Sequence, residues 1–81
     1  MIVIFGDGVP EVFQDLPPLA QTRAAQIIQL IETFPHMYPT RNKGLLAGYR
    51  YFQVFDYLFY YRVSSSEVRI SAILHGKMEQ A

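Results

Sequence analysis

Arg62 and Arg69 flank a serine turn, Ser64 to Ser66, at the end of the aromatic run FDYLFYYRV. If the two strands pair symmetrically about Ser65 and Ser66, Arg62 lies directly opposite Arg69. Tyr60, Ser71 and His75 then share their face, by the alternation of side chains along a strand. Guanidinium groups fork around phosphate or carboxylate oxygens, and imidazole titrates in the range that acid–base catalysis needs. Arg50 in the segment GYR and Lys77 near the C-terminus add two further cations. Such a set could hold an anionic target or partner through Arg50, Arg62, Arg69, His75 and Lys77. An aromatic ring such as that of Tyr60 can stack on a nucleic-acid base. The same residues also read as the ordinary charges of a half-exposed sheet. There is no cysteine, and the two histidines lie 39 positions apart. No metal site and no cofactor is expected.

The elements that must position these residues are legible along the chain. IVIF at 2–5 is β-branched and aromatic, and it stops at GDG, so it predicts a short strand. Pro10 opens a short helix in which Val12, Phe13 and Leu16 share a face. The prolines at 17 and 18 interrupt it and restart helix. From Leu19 to Phe34, Ala20, Ala24, Ile27, Ile31 and Phe34 make an apolar stripe, broadened by Ile28 and Leu30, and Pro35 ends it. The stripe and Met37 are expected in the core. A loop rich in proline and glycine follows, and then strands at 49–54, 57–63 and 68–75 joined by short turns. In the symmetric register Val63 faces Val68, Tyr61 faces Ile70, Phe59 faces Ala72 and Tyr57 faces Leu74, which gives one apolar face for the long helix to cover. A slip by one residue would bury both arginines and His75. The expectation is a single α+β domain over residues 1–81. Two N-terminal helices, one short and one long, pack on one face of a small, mainly antiparallel sheet of about four strands, in the order β-α-α-β-β-β.

At 51% hydrophobic and 15% aromatic the chain is too apolar for a disordered segment. The N-terminal apolar run has no basic residues before it and is too short for a signal peptide or a membrane span, so a cytoplasmic protein is expected. Net charge is zero but unevenly spread. Residues 1–40 carry −3 and residues 41–81 carry +3, an asymmetry that suits an anionic partner.

FQDLPPLAQTRAAQIIQLIETFP, then FPHMYP and GYR, then DYLFYYRV and EVRISAILHG, resemble in order and spacing the RelE/ParE superfamily of bacterial type II toxins, and ParE-like members more closely. The resemblance covers nearly the whole chain. It implies growth inhibition, plasmid stabilisation and neutralisation by a cognate antitoxin. ParE-type members act on DNA gyrase, and RelE-type members cut mRNA on the ribosome. RNA-cleaving members usually carry a basic residue where this chain has Leu58, and a late tyrosine that HGKMEQA lacks. The resemblance therefore points first to a ParE-like gyrase inhibitor. The alternatives are a ribosome-dependent mRNA endonuclease, in which His75 would serve as acid or base, Arg62 and Arg50 would stabilise the phosphorane and Tyr60 would stack on a base, and a degenerate, non-toxic module that binds an antitoxin.

Overall fold

Pro17 and Pro18 divide the helical part of the chain in two. The computed structural model describes residues 1–76, and in it helix α1 (Val9–Gln14) ends before the proline pair while α2 (Pro18–Thr33) begins on the second proline. Pro18 fits there because the first turn of a helix needs no N–H. No side chain caps α2. Instead the Gln21 side-chain amide lies 3.1, 3.0 and 3.0 Å from the carbonyl oxygens of Phe13, Gln14 and Leu16 and shares its two hydrogens among them. One side chain thus serves carbonyls at and just after the end of α1, where the regular helical partners run out.

The remaining elements are β1 (Ile2–Phe5), β2 (Arg50–Val54), β3 (Tyr57–Val63) and β4 (Glu67–His75). They form one four-stranded sheet in the order β1-β4-β3-β2. β2, β3 and β4 run as an antiparallel meander, and β1 adds to β4 in parallel. The α+β fold and its element order are as the sequence predicts.

One face of the sheet carries Phe52, Val54, Phe59, Tyr61, Val68, Ile70 and Ile73. These are buried with Val9, Leu16, Ala20, Ala24 and Ile31 from the helical segment. The apolar stripe of α2 is thus real at Ala20, Ala24 and Ile31, and half-buried at Ile27 and Ile28. It fails at its end. Leu30, Phe34 and Met37, expected inside, are exposed: Leu30 lies about 100° around the helix from buried Ile31, and Phe34 and Met37 lie past the end of α2. The turn between β2 and β3 puts Phe55 at φ 52°, a left-handed conformation that an aromatic residue rarely adopts. The Gln53 side chain braces it with a 2.7 Å hydrogen bond to the Phe55 carbonyl.

The register of β3 and β4 departs from symmetry. Val63 faces Val68, Arg62 faces Arg69 and Tyr61 faces Ile70, as expected. The register then shifts between Tyr60 and Tyr61, so that Tyr60 faces Ala72, Phe59 faces Ile73, Leu58 faces Leu74 and Tyr57 faces His75. Ser71 is the extra residue of a β-bulge. The expected pairs Phe59 with Ala72 and Tyr57 with Leu74 do not form. Past the bulge, Ile73 and His75 have exchanged faces with Ala72 and Leu74.

Ile31 lies fully buried in the middle of this core. Ile31→Ala should lower unfolding free energy by about 2–5 kcal/mol, the usual range for such a truncation, as read by urea denaturation. A loss below half a kcal/mol would show that α2 does not pack as described.

Candidate functional site

The sheet face turned away from the helices holds Tyr51 and Gln53 of β2, Leu58, Tyr60 and Arg62 of β3, and Arg69, Ala72 and Leu74 of β4. The chain between α2 and β2 folds back towards it. Thr40 bridges Arg50 in antiparallel sense. The Arg41 N–H donates to the Tyr49 carbonyl at 2.7 Å, and the Gly48 N–H donates to the Arg41 carbonyl at 2.8 Å. Gly44 and Gly48 take φ of 86° and 89° to close this loop, a conformation that glycine adopts without a steric penalty. The Arg41 guanidinium donates to the Lys43 carbonyl at 3.1 Å and to the Tyr60 hydroxyl at 3.4 Å. With the Tyr51 ring 5.8 Å away as well, Tyr60 is completely buried. It therefore offers no ring face on which a base could stack.

Beside it an open cleft of about 650 Å³ is lined by Thr40, Tyr49, Arg62, Ser64, Arg69 and Ser71, with His36, Arg50 and Glu67 also contributing. The Arg62 guanidinium sits over the Tyr49 ring, 4.5 Å from its centre, an attraction between the cation and the negative ring face. Arg69, directly across the strand pair, contacts the Glu67 carboxylate at 3.4 Å. That bridge is long and largely exposed, and so contributes little to stability. Two like charges opposed across a strand pair are unfavourable alone; an oxyanion between them would reverse the sign.

Three other expected site residues are placed differently. Arg50 pairs with Tyr61, on the helix face of β2. Its guanidinium donates to the Tyr38 carbonyl at 2.6 Å and to the His36 carbonyl at 3.3 Å, so it ties the loop after α2 to the sheet while also lining the cleft. His75 faces Tyr57, with ring centres 5.5 Å apart and edge to face. The bulge at Ser71 thus puts His75 on the face opposite Arg62, and the two cannot flank one phosphate. Lys77 lies outside the described residues. Tyr49, which seats Arg62, and Ser71, which makes the bulge, carry no sequence signal beyond standing beside Arg50 and between strand residues. Among the described residues no group of three or more His, Cys, Asp or Glu could hold a metal. No helix among them is long and apolar enough to cross a membrane.

Tyr61 completes the frame. Its hydroxyl donates to the Pro35 carbonyl at 2.9 Å. Burial raises its pKa above the ordinary 10.0, and the Arg50 guanidinium opposes that rise in part. The folded state therefore holds the phenol proton more tightly than the unfolded chain does. Its contribution is fully present below pH 10 and is lost as pH climbs through the raised value. Tyr61→Phe should cost about 1 kcal/mol at neutral pH and should make the alkaline loss of stability shallower. Equal alkaline slopes for the two proteins in pH-dependent denaturation would remove Tyr61 as the cause. Separately, Arg62→Ala should leave the melting temperature within a degree or two, since its side chain is exposed. Arg50→Ala should lower it by several degrees, because two loop carbonyls lose their donor. The reverse order in a melting experiment would contradict the assignment of faces.

Comparison with family models matches residues 14–80 to the ParE toxin of the type II toxin–antitoxin system, parDE. Comparison with curated proteins gave no match. The match spans all of α2 and every strand of the meander that builds the cleft, and the chain belongs to the ParE toxin family of type II toxin–antitoxin systems.

Proposed function

We propose that the chain is a growth-inhibiting toxin of the cytoplasm that disables DNA gyrase and is neutralised by a cognate antitoxin. Family membership implies the antitoxin partner. The choice of gyrase rests on one structural observation: His75 and Arg62 lie on opposite faces of the sheet. Cleavage of RNA needs an acid–base group and cations converging on one phosphate, and the pair that the sequence offers for that work does not converge. Tyr60 is buried and Leu58 supplies no charge, which supports the same reading. Inhibition of gyrase asks only for a binding surface.

Two assays on the purified chain test this. Added to gyrase and relaxed plasmid, it should abolish supercoiling or trap cleaved DNA. Added to programmed ribosomes, it should leave the message intact by toeprinting. Cleavage in the ribosomal A site would replace the gyrase reading with the nuclease. Silence in both assays, together with normal growth of cells making the chain alone, would replace it with an inert antitoxin-binding module.

A further inference from the structure

The fold turns the charge asymmetry of the sequence into two layers. Asp7, Glu11, Asp15 and Glu32 are exposed in the helical part with Arg23 as their one cation, whereas Arg62 and Arg69 stand exposed on the far side of the sheet, with Arg41 and Lys43 in the loop beside them. The two opposed arginines have different neighbours. The Tyr49 ring supports the Arg62 guanidinium by its face. Among the described residues Arg69 has one ion pair, the long contact to Glu67, a carboxylate that already shows which chemistry fits there.

We propose that this cleft is a carboxylate receptor: Arg62 and Arg69 together take an acidic side chain from an extended segment of the antitoxin. The proposal rests on the antitoxin partner that family membership implies. A peptide fits the surroundings better than nucleic acid does. The cleft holds few cations, whereas tight binding to a phosphate backbone uses many cations at once. Apolar side chains continue the surface. Leu58 and Leu74 form a half-buried pair farther along the same face, and Leu45 is fully exposed on the loop that borders the cleft. An acidic residue followed by an apolar one would engage both, as arginine clusters do with acidic motifs. Tyr49 is a positioning residue for Arg62.

The test measures fluorescence anisotropy of a labelled, end-blocked hexaglutamate peptide with the full chain. The hexaglutamine peptide and a single-stranded DNA hexamer serve as competing probes. Hexaglutamate should bind, and binding should weaken as salt rises. Arg62→Ala and Arg69→Ala should each weaken it about tenfold, the loss of one charge-assisted pair, with unchanged circular dichroism. Arg23→Ala, in the helical layer, should leave binding unchanged. Tyr49→Leu should weaken binding and Tyr49→Phe should restore it, because the ring and not the hydroxyl seats the guanidinium. Equal binding of hexaglutamine, or wild-type affinity in the arginine variants, overturns the receptor. Tighter binding of the DNA hexamer through the same two arginines makes the cleft a nucleic-acid surface instead. A second arm uses the small protein encoded beside this chain, co-purified with wild type and with the Arg62→Ala, Arg69→Ala double variant. Faster dissociation from the double variant supports the antitoxin as occupant, and equal retention overturns that occupant. If wild type retains no such protein, the antitoxin reading itself falls, while the peptide result still decides the receptor.

Discussion

Two alanines set how closely the long helix can approach the sheet. Ala20 and Ala24 are wholly buried in the same core as Phe52, Phe59 and Tyr61. Phe52 and Phe59 stack with centres 4.8 Å apart, and Phe13 meets Phe59 edge-on at 6.5 Å. Small side chains on the helix leave volume for these rings, and in a densely packed interior enlarging one side without shrinking the other brings strain. This pairing of small with large accounts for the concentration of aromatic residues in β3. It also fixes the orientation of that strand. With Phe59 and Tyr61 committed to the helices, Tyr60 and Arg62 must face the other way, and the position of the candidate site follows from the core.

The sequence carries the parts of this structure that repeat with a clear period. The stripe at Ala20, Ala24 and Ile31 is legible because polar residues separate its members. The hairpin register next to the serine turn is legible because Arg62 and Arg69 cannot both be buried. Beyond Tyr61 the signal disappears. Ala72, Ile73 and Leu74 are all apolar, so either parity gives the helices a hydrophobic face, and nothing marks Ser71 as a bulge. That single residue decides which face receives His75. The burial of Tyr60 was hidden for a different reason. It depends on Arg41, nineteen positions away, reaching across the sheet from a glycine-containing loop, and no local pattern encodes a contact of that range. Arg50 shows a third limit. Its type announces a charge, but only the fold reveals that the charge is engaged with backbone carbonyls.

Zero net charge conceals a strongly polarised molecule. The helical layer is acidic and the open sheet face is cationic, so the chain has a large dipole with little monopole. Such a molecule feels no long-range attraction to a uniform surface but orients in the field of a charged partner, which favours productive encounter over non-specific adhesion. The arrangement also separates two surfaces. A partner that seeks the cations meets the cleft beside the loop, and one that seeks apolar contact meets Leu30, Phe34 and Met37 at the far end of α2.

The parallel pairing of β1 with β4 has a consequence for synthesis. Among the described residues Ile2 to Phe5 find their one neighbouring strand in Glu67 to Ile70, so the first strand made waits for the last. While the polypeptide is still emerging from the ribosome, β1 has nothing to pair with, and its apolar residues stay accessible. Contacts this distant along the chain close slowly. A nascent copy therefore passes through an interval in which it is complete in sequence but not yet shaped to act. An antitoxin partner, as family membership implies, would meet the chain in that interval before its sheet has closed.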